Sequence, residues 1–277
     1  MSLGFIAKPN AIAIGRIFFA VGLIGIGCQH FFFRQFIPVV VPMWPAWIPG
    51  RPFWVYLAGA ILIAAGASIL SGFKARTACL LLAVLFLASV VLLHIPANVM
   101  AHITSLIGWS DTIETLNFAG SALVVAGTFA EISGRRSSTA LIRLLAKLIP
   151  LGFYTLAFEV VVFGFDHFLY VRYVKALVPA WIPGHVFWTY FAGAALIASG
   201  LGMIFRVKAR LAATLLGAML FTWVLVLHIP RAIANPYGGI GDEWTSVFEA
   251  LAFSGIAFIL GETLGEKLAL HGSGKSV

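Results

Sequence analysis

The sequence predicts an all-α integral membrane protein, on the basis of its composition, its long apolar runs and an internal repeat. Hydrophobic residues make up 61% of the 277-residue chain and charged residues only 10%, whereas soluble domains contain about 25% charged residues. So few charges cannot cover a water-facing surface. The apolar runs do not alternate with period two, which favours helices over the strands of a closed barrel as the spanning structure.

Eight apolar runs are long enough to cross a bilayer as helices, because one crossing takes about 20 apolar residues. The basic segments Lys74–Arg76 and Lys208–Arg210, together with two Pro-Trp-Pro segments, mark several of the boundaries. The expected spans are residues 11–32, 53–73, 77–97, 113–130, 148–170, 187–205, 211–230 and 246–264.

The two halves of the chain contain the same motifs in the same order. Each half contains four expected spans, an even number, so both halves have the same orientation. We therefore expect two four-helix bundles arranged as parallel repeats about an axis along the membrane normal. The expected units are a first repeat at 1–130, a basic linker at 131–147 and a second repeat at 148–277 that ends in a short disordered tail. The motifs are His-Phe at His30 and His167, P-A-W-I-P-G at Pro45 and Pro179, L-H-I-P at Leu93 and Leu227, and E-x-L-x-F-x-G-x-A at Glu114 and Glu249.

The basic residues predict the orientation in the membrane. Of the 18 Lys and Arg residues, 13 fall at one set of helix ends and loops and five at the other. The positive-inside rule then places both termini in the cytoplasm. Because these residues lie in short loops between apolar runs, the net charge of +8 indicates orientation and not a nucleic-acid partner. The short loops contain no Gly-rich phosphate loop, so we expect no nucleotide partner either.

Polar residues recur at the outer ends of the expected helices, two histidines and one glutamate in each half. Ionisable side chains at membrane depth are costly and usually face a bundle interior or a wet cavity. Each set is a candidate catalytic site that could handle protons, bind a quinone head group or, less favourably, hold a metal in an open site. The alternative is a hydrogen-bonded network that ties helix ends together. The candidate residues are His30, His94 and Glu114, and His167, His228 and Glu249.

The second half has two acids that the first half lacks. Glu159 and Asp166 stand where the first half has Gly22 and Gln29. They are seven residues apart and share a helix face, so we expect a proton path from mid-membrane to the outer site. The alternative is one buried hydrogen bond to a neighbouring helix.

Two rigid, aromatic segments follow the first and fifth expected helices. Trp47 and Trp181 lie at their centres. Since tryptophan prefers the membrane interface, each segment is expected to be an interfacial anchor or a lid over a ligand pocket.

The motifs of each half resemble those of the DoxX-like family of bacterial four-helix membrane proteins, so the chain looks like a tandem-duplicated member. The resemblance implies a bacterial inner-membrane protein with a quinone-linked redox role, a quinone as the cofactor, and a periplasmic or membrane redox partner. The chain departs from the family by being doubled and by having only Cys28 and Cys79, with no paired cysteines. The motifs in the first half are Gly27-x-x-His30-Phe31, Pro45-x-Trp47-x-Pro49, Gly59, Gly66, Lys74-x-Arg76-x-Ala78 and His94-Ile95-Pro96, and each recurs in the second half.

Two other functions stay open at this point. Parallel repeats and the acids Glu159 and Asp166 are compatible with a proton-coupled transporter of a small solute. A non-catalytic scaffold within a larger membrane complex would need none of the polar residues for activity.

Overall fold

The computed structural model describes residues 10–101, 103–129 and 140–273, with side chains described to residue 264. Helices joined by turns and loops make up this part of the chain, and it contains no strand. The expected linker lies outside the described residues up to position 139. Its remaining part, residues 140–147, contains the short helix α6. The helices are α1 (Ala11–Phe33), α2 (Arg51–Ser71), α3 (Ala75–Ser89), α4 (Ile95–Ala101), α5 (Ser110–Gly127), α6 (Ala140–Ala146), α7 (Gly152–Leu169), α8 (Val171–Leu177), α9 (His185–Ile204), α10 (Ala209–Trp223), α11 (Ile229–Ala234) and α12 (Asp242–Ser273).

Seven helices in the described part are long and apolar enough to cross a membrane, which makes the chain a multi-pass helical membrane protein in contact with lipid. They include α3 continued into α4 and α10 continued into α11. The continuation runs through a π-helical turn at Val90–His94 and again at Val224–His228. A widened turn of this kind often occurs at functional sites. These two helices therefore continue four residues beyond the expected span ends at positions 97 and 230.

The remaining expected span, 113–130, corresponds to α5 and is not among the seven apolar helices. The first half of α5 contains Asp111, Glu114 and Asn117, and these polar residues lower the mean hydropathy of the helix. Yet α5 is buried along most of its length, from Thr112 to Ala126. A helix that neighbouring helices surround does not need an apolar surface toward lipid.

The helices pack in a closed ring, and the two halves interlock. Going round the ring, α1 packs on α2, followed by α3, α5, α7, α9, α10 and α12, and α12 returns to α1. The first and last helices of one half, α1 and α5, have few contacts with each other. Instead α1 packs along α12, and α5 along α7. This differs from two self-contained four-helix bundles.

Matched glycines allow the closest helix contacts in both halves. A Cβ on Gly27 of α1 would lie 2.8 Å from the carbonyl oxygen of Gly59 on α2. A Cβ on Gly164 of α7 would lie 2.8 Å from the carbonyl oxygen of Gly193 on α9. Since real side chains do not approach a backbone oxygen so closely, only glycine fits at these crossings.

Candidate functional site

The segment after α1 fills the interior of its own half. Pro38 and Pro42 prevent a helix here, because proline lacks the amide donor and clashes with the preceding turn. The chain instead turns inward and buries Ile37, Val39 and Val40. We call residues 36–41 the plug.

Side chains of the first half hold the plug by its backbone. The Ser89 hydroxyl donates to the Val40 carbonyl at 2.6 Å, and the Thr115 hydroxyl donates to the Val39 carbonyl. The equivalent positions in the second half are Trp223 and Ala250, neither of which has a hydroxyl. At these two positions the second half thus lacks the hydroxyl groups that hold the plug in the first.

The segment after α7 takes a different path. Between Tyr170 and Pro179 there is no proline, so the chain forms the helix α8 (Val171–Leu177). Tyr173 and Val174 of α8 line a cavity of about 850 Å³ that is bordered by α5, α7, α9, α10 and α12 and is open on one side. The interior that the plug fills in the first half is therefore open in the second.

Seven of the ten residues singled out in the sequence line this one cavity. Glu114 belongs to the first repeat, and it reaches the cavity because α5 packs on α7. The other residues singled out do not line it: His30, His94 and Trp47. The seven are Glu114, Glu159, Asp166, His167, Trp181, His228 and Glu249.

The two histidines of the first half are packed inside it. His30 is fully buried, and its Nδ1 lies 2.8 Å from the Ile26 carbonyl. His94 is also buried, and its Nε2 lies 3.2 Å from the Thr115 hydroxyl. The plug and its partners thus leave these histidines as part of a packed interior, whereas two equivalent sites were expected.

The histidines of the second half face the cavity. His167 Nδ1 lies 2.7 Å from the Phe163 carbonyl. Because a carbonyl only accepts, Nδ1 carries the proton and Nε2 is left as the acceptor of the neutral ring. The His167 ring also stacks on Trp223, with centroids 6.3 Å apart.

A chain of polar side chains leads from the cavity into the bundle. The Asn117 amide of α5 donates to the Glu159 carboxylate of α7. The Asn117 oxygen accepts from Thr155 at 3.1 Å and from Ser121 at 3.4 Å. We call Glu159, Asn117, Thr155 and Ser121 the polar track. The sequence analysis missed the last three, although an asparagine inside an expected span is itself a signal of a buried partner.

Two carboxyl oxygens at the cavity have no partner. Asp166 Oδ1 and Glu249 Oε1 are buried without a hydrogen bond among the described residues. Asp166 and Glu249 are 6% and 8% exposed. Buried polar atoms are normally satisfied, so both oxygens are available to a bound molecule.

The metal hypothesis finds no ligand set. Within the described ranges, no group of three or more His, Cys, Asp and Glu side chains is arranged to hold a metal ion. The polar residues instead surround a space lined mainly by aromatic and aliphatic side chains, which is typical of a small-molecule site.

The tryptophans of the two Pro-Trp-Pro segments are exposed. Trp47 is 82% and Trp181 67% exposed, as expected of interfacial anchors. Their neighbours Trp54 and Trp188 donate their indole N–H to the Pro49 and Pro183 carbonyls at 3.3 and 3.1 Å. Trp181 differs from Trp47 in also lining the cavity.

Fold and site together define a helical membrane protein with an acidic, aromatic cavity. No protein-family model, curated protein or solved structure matches the chain.

Proposed function

We propose that the protein is a proton-coupled transporter of a small solute, with the solute bound in the cavity of the second half. The observation that carries this proposal is the polar track, which joins the Glu159 carboxylate at the cavity to Ser121 deeper in the bundle. A transporter of this kind needs a solute site and a proton-carrying group in contact with each other. Glu159 meets both conditions, because it lines the cavity and begins the track.

The proposal includes the architecture that the sequence predicts. In it, α5 is an eighth membrane span, the two repeats are parallel, and both termini are in the cytoplasm of a bacterial inner-membrane protein. Arg16 and Arg76 support this orientation, since both bind backbone carbonyls at the end of α5. Cations suit the carboxyl end of a helix, and basic residues suit the cytoplasmic side.

Within this mechanism the residues have separate roles. Asp166 and Glu249 offer their unpartnered oxygens to the solute. Glu159 takes up and releases the proton at the cavity, and the Asn117 amide, held in turn by Thr155 and Ser121, orients its carboxyl group. The plug keeps the first half closed, so the transporter has one solute site and not two.

A second candidate is a quinone-linked redox subunit, as the resemblance to the DoxX-like family implies. His167 and His228 line an aromatic cavity, and His167 Nε2 would accept a hydrogen bond from the hydroxyl group of a reduced quinone head group. Electrons would pass to a periplasmic or membrane redox partner. A quinone that co-purifies with wild-type protein and is lost in a His167→Ala/His228→Ala variant would favour this function.

Proton flux in proteoliposomes tests the transport proposal. A pH dye in the lumen should report proton movement when one member of a panel of small cationic, neutral and anionic aromatic solutes is added. Glu159→Gln and Asp166→Asn should each abolish this movement. Glu262→Gln is the control, because Glu262 is a partly exposed acid of α12 that does not line the cavity. Solute-dependent flux that survives both cavity variants would refute the proton path.

A scaffold would behave differently from either candidate. Alanine at His30, His94, His167 and His228 would then lower stability and leave any measured activity of the parent complex intact.

A further inference from the structure

The charged groups at the cavity are all acids. Four carboxyl side chains line it, and the part of the chain that the structure describes contributes no Lys or Arg to the lining. The nearby cation Arg231 is held by the Glu243 carboxylate and by the Leu177 carbonyl. The four acids are Glu114, Glu159, Asp166 and Glu249.

The acids differ in whether the protein supplies a hydrogen-bond partner for the carboxyl group. Glu159 accepts from the Asn117 amide, so the protein itself supplies its partner. Asp166 and Glu249 each keep a buried oxygen without a partner in the described structure. A buried carboxylate costs several kcal/mol unless a charge or donor pairs with it, by order of magnitude. A positive or donor group of a ligand would supply the missing partner.

The aromatic lining suits the same ligand. Trp181, Trp188, Trp223 and Tyr173 all line the cavity. The Trp188 N–H is already bonded to Pro183, so this residue offers the cavity only its ring. Aromatic faces attract organic cations, which lose little hydration when they are buried.

The equivalent positions of α1 show that two of the acids occur only in the second half. Where α7 has Asp166, α1 has Gln29, whose amide is bonded to the Gly241 carbonyl and to Thr245. Where α7 has Glu159, α1 has Gly22. The half with the closed interior thus lacks these two acids, and the half with the open cavity has them.

We infer that the cavity binds a lipophilic organic cation, an aromatic or alkyl ammonium compound whose positive group pairs with Asp166 and Glu249. This inference rests on the proposed function and names the class of solute. The apolar lining accepts the body of the molecule, and the acids accept its charge.

Binding of two ions of equal shape and opposite charge tests the inference. Tetraphenylphosphonium and tetraphenylborate are the probes, added to full-length protein in nanodiscs of phosphatidylcholine, which has no net charge. Quenching of tryptophan fluorescence, corrected with empty nanodiscs, reports binding. We expect the cation to bind at least about 10-fold more tightly than the anion, which is a difference of about 1.4 kcal/mol in binding free energy.

A neutralised variant locates the binding. Asp166→Asn/Glu249→Gln should weaken cation binding about 10-fold or more. Glu262→Gln removes an acid of α12 outside the lining and should change cation binding by less than about twofold. Equal binding of the two ions by wild-type protein would overturn the inference, and this comparison needs no variant to fold. Full cation affinity in the folded neutralised variant would overturn it too.

The binding and proton-flux experiments together distinguish failure of the inference from failure of the proposed function. Cation binding at these acids without solute-dependent proton flux would leave the ligand class standing and remove transport. Proton flux driven only by neutral or anionic solutes would leave transport standing and remove the ligand class.

Discussion

The Asn117 amide donates a hydrogen bond to the Glu159 carboxylate, and this bond joins the two halves of the chain. Asn117 lies on α5, the last helix of the first repeat, and Glu159 on α7, the first helix of the second. Both side chains are buried, at 0% and 2% exposure. The contact therefore contributes to the packing of the halves as well as to the polar track.

We expect Asn117→Leu to destabilise the protein by about 1–3 kcal/mol, because it leaves the buried Glu159 without its donor. Asn117→Leu/Glu159→Leu should recover much of that loss, since no carboxyl group is then left without its donor, and the Ser121 hydroxyl loses its acceptor in both variants alike. Equilibrium unfolding in detergent measures both changes. Ser246→Ala is the control, because the Ser246 hydroxyl bonds only within its own helix. A double variant as unstable as the single variant would contradict the pairing.

The plug gives a second prediction, which concerns access to the first half. A cysteine at Ile37, in a Cys28→Ala background, should resist a water-soluble maleimide because Ile37 is fully buried. Ser89→Ala/Thr115→Val removes both hydroxyls that hold the plug and should raise the labelling rate at least about 10-fold, at about 1 kcal/mol per hydrogen bond.

The matched control for the plug is Thr222→Val. It removes a hydroxyl that bonds only to Ala218 of its own helix, so labelling at position 37 should not change. Rapid labelling in the parent background would show that the plug does not close the first half.

Much of the fold was predictable because apolar runs and basic boundaries have local causes. The bounds of α1 and α9 agree with the expected spans to within a few residues. The position of α5 was expected as well, but its role was not. No local sequence pattern predicts that other helices surround the polar face of α5, because this depends on how the two halves pack together.

The sequence analysis identified seven residues that line the cavity, but it did not predict that they would line the same cavity. The repeat identified Glu114 and Glu249 as equivalent, and this suggested two separate sites. Packing of α5 on α7 brings Glu114 to the cavity of the second half. The closure of the first half follows from Pro38 and Pro42, but recognising it requires knowing that Ser89 and Thr115 lie beside the inserted backbone.

The glycine crossings give a third prediction. Gly27→Val and Gly164→Val should each destabilise the protein by about 1–3 kcal/mol, because the new side chain overpacks a backbone contact. Cys28→Val is the control, since Cys28 is adjacent to Gly27 but exposed, and we expect a change within about 0.5 kcal/mol. Thermal unfolding in detergent compares all three. A large effect at Gly27 with none at Gly164 would contradict equivalent crossings in the two halves.

Arg231 gives the last prediction, because it connects α11 to both α8 and α12. Its guanidinium is paired with Glu243 and donates to the Leu177 carbonyl at 3.2 Å. Both partners of the ion pair are partly exposed, so Arg231→Met should lower global stability by about 1 kcal/mol or less. The effect on the local stability of α8 should be larger, since α8 loses the hydrogen bond to Leu177 that fixes its carboxyl end.

Hydrogen exchange measured by mass spectrometry checks this difference. Amides of Val171–Leu177 should exchange faster in Arg231→Met, while those of α9 and α10 keep the wild-type rate. Arg172→Met is the matched control, because it removes an exposed positive charge from α8 itself without altering the contact to α12. Faster exchange in the control, or an unchanged rate in Arg231→Met, would show that Arg231 does not fix α8 over the cavity. Since α8 lines the cavity where the first half has its plug, a loosened α8 should also admit the tetraphenylphosphonium probe faster.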